Sequence, residues 1–133
     1  MFLENHQGHK LAFIIDRDES NDKQDVIVFA NGFGGLKDSP GRQMLAKFFN
    51  ELGFATLRSD NRGKGESEGS TVDYTVEEGV KDVCLFIEYL KAQQWVGKIA
   101  LYGSSNGGGV AMAIAARRKD IAFLILTSPS IDN

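Results

Sequence analysis

Gly103, Ser104, Ser105, Asn106 and Gly107 form a G-x-S-x-G pentapeptide whose middle serine could attack a carbonyl carbon. A serine hydroxyl does this only if a sharp turn lifts it clear of the backbone, and such a turn crowds its neighbours unless they lack side chains. Gly103 and Gly107 meet that need. Residues 98–102 are an apolar run suited to a buried strand, and residues 107–118, rich in small side chains, suit a helix. A serine held between strand and helix in this way is a nucleophile elbow. The reading predicts φ above zero at Ser105. A relaxed strand-to-helix turn would instead give negative φ and a hydroxyl that caps the helix.

Positioning such a turn requires a sheet with helices packed on it. Residues 2–5 and 10–15 read as two short strands joined through Gly8 into an N-terminal β-hairpin. Residues 16–25 are nearly all polar and form a surface loop, and 26–30 return as a continuous apolar run of the kind found in central strands. Ser39 and Pro40 are an N-cap and N1 pair for a helix carrying Met44, Leu45, Phe48, Phe49 and Leu52, which Gly53 ends. A second buried strand covers 54–57. Thr75 and Glu78 have capping-box spacing before a helix lined by Val80, Val83, Cys84, Ile87 and Leu90. The last apolar strand is 121–126. Strands alternating with helices imply right-handed crossovers and an α/β fold: a mostly parallel sheet with helices on both faces.

A length of 133 residues suffices for one domain with its own core, and 42% hydrophobic with 25% charged residues is ordinary globular composition. Its net charge of −3 and scattered Lys and Arg leave no footprint for nucleic acid. Arg117, Arg118 and Lys119, the one basic run, read as favourable charge at a helix C-terminus. Cys84 is the sole cysteine, which excludes an internal disulfide and a thiolate metal cluster and fits a cytoplasmic location. No stretch approaches the roughly 18 apolar residues of a membrane span. His6 and His9 make an H-x-x-H on the hairpin turn without further ligands at metal spacing, so neither a metal nor a cofactor is expected.

Three motifs, in order and spacing, resemble the α/β-hydrolase family: Asn31-Gly32-Phe33-Gly34-Gly35 after one strand, Asp60-Asn61-Arg62-Gly63-Lys64-Gly65-Glu66-Ser67 after the next, and the elbow. The chain looks closest to lidded serine hydrolases, a group with cinnamoyl and feruloyl esterases, monoacylglycerol lipases and serine aminopeptidases. The resemblance implies that Ser105 is the nucleophile and that the backbone N–H groups of Asn106 and Phe33 form the oxyanion hole. It also implies a small-molecule ester or amide substrate. Preorganised amides suit that role, each typically worth about 2.7 to 4 kcal/mol, and Asn106 would sit at the positive end of a helix dipole.

Two positions depart from the family. Asn31 stands where a histidine is usual, which bears on the support of the oxyanion loop. Only 28 residues follow Ser105 and none is histidine, whereas the family places its acid and histidine after the nucleophile. In the family's strand order His6 and His9 lie about 19 Å from the nucleophile strand, out of reach. Asp132 falls where a minority of members place the acid. The expectation is therefore an N-terminal portion, residues 1–133, of a single hydrolase domain, truncated after the sixth strand. It lacks lid, general base and the last two strands, is inactive alone, and has an edge strand that pairs with the missing part or with another chain.

Two other readings compete with this one. Gly103, Gly107 and Gly109 also fit the G-x-x-x-G-x-G of some dinucleotide-binding enzymes, but the following strand ends in Thr127, Ser128 and Pro129 rather than in an acid for the ribose. A non-catalytic hydrolase-like binding or assembly module is the second, and the missing histidine is its support.

Overall fold

The computed structural model describes residues 1–72 and 74–129. Alternation of side chains along the strands determines how the layers form. In β3 (Gln24–Ala30), Val26 and Val28 face one side of the sheet and Ile27 and Phe29 the other, and all four are at most 1% exposed. Both faces of this central strand are therefore covered.

On one face, Val26 and Val28 join Leu11, Phe13, Leu57 and Leu101 in a core closed by α2 (Val76–Lys91) and α3 (Asn106–Arg117). On the other, Ile27, Phe29 and Ala100 pack with Ala46 and Phe49 of α1 (Pro40–Glu51). The remaining strands are β1 (Phe2–Glu4), β2 (Lys10–Asp16), β4 (Ala55–Ser59), β5 (Val96–Ser104) and β6 (Ile121–Thr127). Among the described residues the sheet has six strands in the order β1-β2-β4-β3-β5-β6. The β4–β3, β3–β5 and β5–β6 pairings are parallel, while β1–β2 and β2–β4 are antiparallel. The N-terminal hairpin thus adds an antiparallel margin to a parallel centre.

Several elements differ locally from the sequence reading. β5 is longer than 98–102 because it pairs with β3 and β6 on both sides, which carries it through Ser104. Ser39 makes no side-chain cap for α1; Pro40 at the first position removes one orphan donor, and the Ser39 carbonyl accepts from Gln43 N–H at 3.0 Å. Thr75 Oγ1 accepts from Glu78 N–H at 3.2 Å, half of the predicted capping box. The Glu78 carboxylate turns instead to Arg62 and His6, each at 3.1 Å. Cys84 is partly buried and packs against the larger core. Arg117 and Arg118 reach from the end of α3 to Glu77 and Glu88 on α2, so the basic run ties two helices together as well as ending one.

Candidate active site

Because β3 and β5 are parallel neighbours with Ala30 opposite Gly103, the segments that follow them leave the same end of the sheet side by side. One is the loop 31–35, the other the turn around Ser105. Ser105 lies at φ 53°, ψ −123°, a left-handed conformation rarely taken by a residue with a side chain. Strain of this kind is of order 1–3 kcal/mol and persists only when the surroundings hold it. Here β6 and α3 do so: Ser105 N–H donates to the Thr127 carbonyl at 3.2 Å, and the Ser105 carbonyl accepts from Gly108 N–H at 2.9 Å. The Ser105 side chain makes no helix-capping hydrogen bond and is exposed. The relaxed-cap alternative, with its negative φ, does not describe this turn.

The glycines around it leave no room for side chains. A Cβ on Gly103 would lie 2.4 Å from the Gly107 carbonyl oxygen, and one on Gly107 would lie 2.3 Å from that of Ala30. A Cβ on Gly32 would come within 2.7 Å of Asn106 Cβ. The loop that carries Phe33 therefore touches the start of α3, where Asn106 is the first helical residue. Among the described residues, neither the Phe33 nor the Asn106 N–H has a hydrogen-bond partner. Two free amides on touching turns, one at a helix N-terminus, form a surface suited to negative charge.

Asn31 takes over the support of this loop. Its Nδ2 donates to the Ser59 carbonyl at 2.7 Å and to Ser59 Oγ at 3.1 Å, and its Oδ1 accepts from Arg42 at 2.6 Å. Tyr74 donates its hydroxyl to the Asn31 carbonyl at 3.1 Å, and burial pushes the phenol up to about 12. Asn61 Nδ2 donates to the Phe33 carbonyl at 3.1 Å.

The eight-residue segment 60–67 is a scaffold. Asp60 accepts from the amides of Lys37 and Glu66 at 2.7 and 2.9 Å and from Lys37 Nζ at 3.0 Å. Burial raises the Asp60 carboxyl, but those amides and the ammonium outweigh it and hold the group below its ordinary range; contact with Glu66 chiefly pushes Lys37 up. Gly65 is at φ 52°, and a Cβ there would sit 2.4 Å from Asp60 Oδ2. Arg62, 2% exposed, pairs in a two-pronged contact with Asp82 of α2, both bonds 2.8 Å, and donates to Gln7 on the hairpin turn at 2.8 Å. Of these residues, Asp82, Tyr74 and Lys37 gave no sequence signal by themselves. Gly79, an isolated glycine in a helical pattern, was the available pointer, because it stands under the Tyr74 hydroxyl.

His6, on the hairpin turn, pairs with Glu78 of α2, and β1 and β2, which that turn joins, lie four and three strand positions from β5, about 19 and 14 Å at ordinary strand spacing. The described residues bring no histidine to Ser105. Asp132 lies outside the described residues. Among those described, no group of three or more His, Cys, Asp or Glu is arranged to hold a metal ion, and no helix is long and apolar enough to cross a membrane.

Residues 21–133 match the family described as serine aminopeptidase, S33. An Escherichia coli 31.7 kDa protein from the traX-finO intergenic region is 30% identical over 121 residues, 90% of this chain and 41% of that protein. A lysophosphatidylserine lipase of Danio rerio is 36% identical over 110 residues, 78% of this chain and 28% of the lipase. Among solved structures, Est1E from Butyrivibrio proteoclasticus with ferulic acid bound superposes with a TM-score of 0.89 at 31% identity. That match covers 97% of this chain and 52% of Est1E, so the chain spans about half the length of its relatives or less.

Proposed function

This chain belongs to the serine aminopeptidase (S33) family of α/β-hydrolases, and from that premise we propose that Ser105 is the nucleophile of a carboxylic ester hydrolase. The observation that carries the reading is the strained, uncapped Ser105 at the end of β5, beside the free amides of Phe33 and Asn106. Ser105 Oγ attacks the ester carbonyl carbon as a base removes its proton, and the carbonyl oxygen becomes an oxyanion facing the two amides. Collapse breaks the bond to the leaving alcohol, which takes the proton from the base. Water then cleaves the acyl-serine by the same steps in reverse order.

Base and orienting acid belong, in this proposal, to polypeptide beyond these 133 residues. The motives are the lack of histidine after Ser105, the distance of His6 and His9 from β5, and the greater length of the relatives. Acyl substrates are favoured because one relative is named a lipase and another holds ferulic acid. The same missing histidine favours a second reading, a hydrolase-like binding module without catalysis.

Fluorophosphonate labelling separates the two. The complete polypeptide containing this chain is expected to label rapidly and stoichiometrically at Ser105 and to lose labelling in Ser105→Ala, while residues 1–133 alone label slowly or not at all. A complete polypeptide that does not label would favour the binding module. Rapid labelling of residues 1–133 would show that a base lies within them.

A further inference from the structure

The loop 31–35 holds three glycines in five residues, Gly32, Gly34 and Gly35. Backbone so unrestricted samples many orientations, and an amide that must reorient as charge develops loses most of its value to catalysis. Two side chains from distant segments restrict it. Tyr74, 6% exposed, donates its hydroxyl to the Asn31 carbonyl at 3.1 Å. Asn61, 5% exposed, donates Nδ2 to the Phe33 carbonyl at 3.1 Å and its own N–H to the Gly35 carbonyl at 2.8 Å.

The positions of these bonds matter more than their number. The Asn31 carbonyl lies in the peptide plane joining residues 31 and 32, and the Phe33 carbonyl in the plane joining 33 and 34. Between them is the plane that carries the Phe33 N–H. Since peptide groups are rigid planes, fixing one on each side restricts the torsions at Gly32 and Phe33 that aim this N–H. The Tyr74 and Phe33 rings also meet in an edge-type contact, with centroids 4.9 Å apart and planes inclined at 66°. Space for the Tyr74 hydroxyl comes from Gly79, where a Cβ would lie 2.3 Å from it. A glycine inside a helix costs about 0.5–1 kcal/mol relative to alanine, so α2 gives up stability to seat this tyrosine.

We propose that Asn61 and Tyr74 are positioning residues that clamp the 31–35 loop with the Phe33 amide aimed at the oxyanion. The proposal rests on the reading of Ser105 and Phe33 given above. Both clamps act through the loop backbone, and neither is assigned contact with substrate.

The test uses the complete polypeptide with Asn61→Ala, Tyr74→Phe and the pair, and Ser105→Ala as reference. Tyr74→Phe keeps the ring and removes only the hydroxyl, so it serves where Asn61→Ala folds poorly. Four quantities are read: kcat and KM for a 4-nitrophenyl ester, affinity for phenylboronic acid, and the urea midpoint. Phenylboronic acid bound to a serine places an oxygen where the oxyanion would be. Each single variant is expected to lower kcat about tenfold, less than the roughly 10²–10³ for losing an oxyanion donor outright. KM should stay within twofold, and boronate affinity should fall by the same factor as kcat. A purely structural role would lower the urea midpoint while leaving kcat and boronate affinity of the folded variants at wild-type values, and that result overturns the clamp. If Ser105→Ala retains wild-type turnover, the nucleophile reading falls and the clamp falls with it. An inactive Ser105→Ala beside clamp variants of unchanged kcat overturns the clamp alone.

Discussion

At the scale of single residues, this molecule separates groups that hold the site from groups that could react in it. Asp60 is one of the holders: 3% exposed, it accepts from the Lys37 amide and ammonium, which tie the segment before α1 to the end of β4, and from the Glu66 amide. Its folded-state pKa is depressed below the ordinary value of 3.8, so the unfolded chain binds the proton more readily. The stabilisation is therefore fully present above that value and is lost as pH falls through the lower folded-state value. Asp60→Asn should destabilise the protein by about 1–3 kcal/mol at pH 7, the cost of leaving buried partners poorly satisfied. It should also flatten the fall in stability below about pH 4. Urea unfolding of both proteins at pH 7 and pH 3 checks this, and equal losses between the two pH values would refute the role given to the carboxylate.

Among the elements, α2 sets helix propensity against tertiary packing. Gly79→Ala should gain up to about 1 kcal/mol if propensity decided the matter. The new Cβ would lie 2.3 Å from the buried Tyr74 hydroxyl and 3.0 Å from Val110 Cγ2, on groups with no open space to enter. Overpacking of this kind typically costs about 1–3 kcal/mol, so the net change should be destabilising. Thermal unfolding reads the sign, and near-ultraviolet circular dichroism should report the displaced tyrosine. A rise in melting temperature would mean that α2 shifts freely. The element β5–Ser105–α3 follows the same logic, since Gly103 and Gly107 face backbone carbonyl oxygens at distances no Cβ tolerates.

At the largest scale, the sheet of the described residues is well covered at its centre and open at the β6 margin. β6 is partly exposed along its length, with Phe123 40% exposed, and nearby α1 shows Met44, Phe48 and Leu52 at 74%, 53% and 61%. An apolar strand with one free edge offers unpaired backbone groups to another chain. A sample made of residues 1–133 alone should dimerise or aggregate as concentration rises, and Phe123→Lys should reduce this. Sedimentation velocity over a hundredfold range of concentration measures it. A monodisperse monomer throughout would show that the edge is protected.

Much was legible in the sequence because it is written in local periods and local chemistry. A continuous apolar run marked β3 as covered on both faces, Pro40 and Gly53 bracketed α1, and the glycines on either side of Ser104, Ser105 and Asn106 announced a turn that only a strained serine completes. The strand order, the two-pronged Arg62–Asp82 pair and the bonds from Asn61 and Tyr74 to the 31–35 loop were decided by tertiary structure alone. These contacts join positions 20 to 43 residues apart, and no repeat of 2 or 3.6 residues encodes which distant donor meets a given carbonyl. Asn31 shows the division most clearly. The sequence marks it as a departure from its family, while the fold supplies Ser59 and Arg42 on either side of its amide and so makes it a support for the loop.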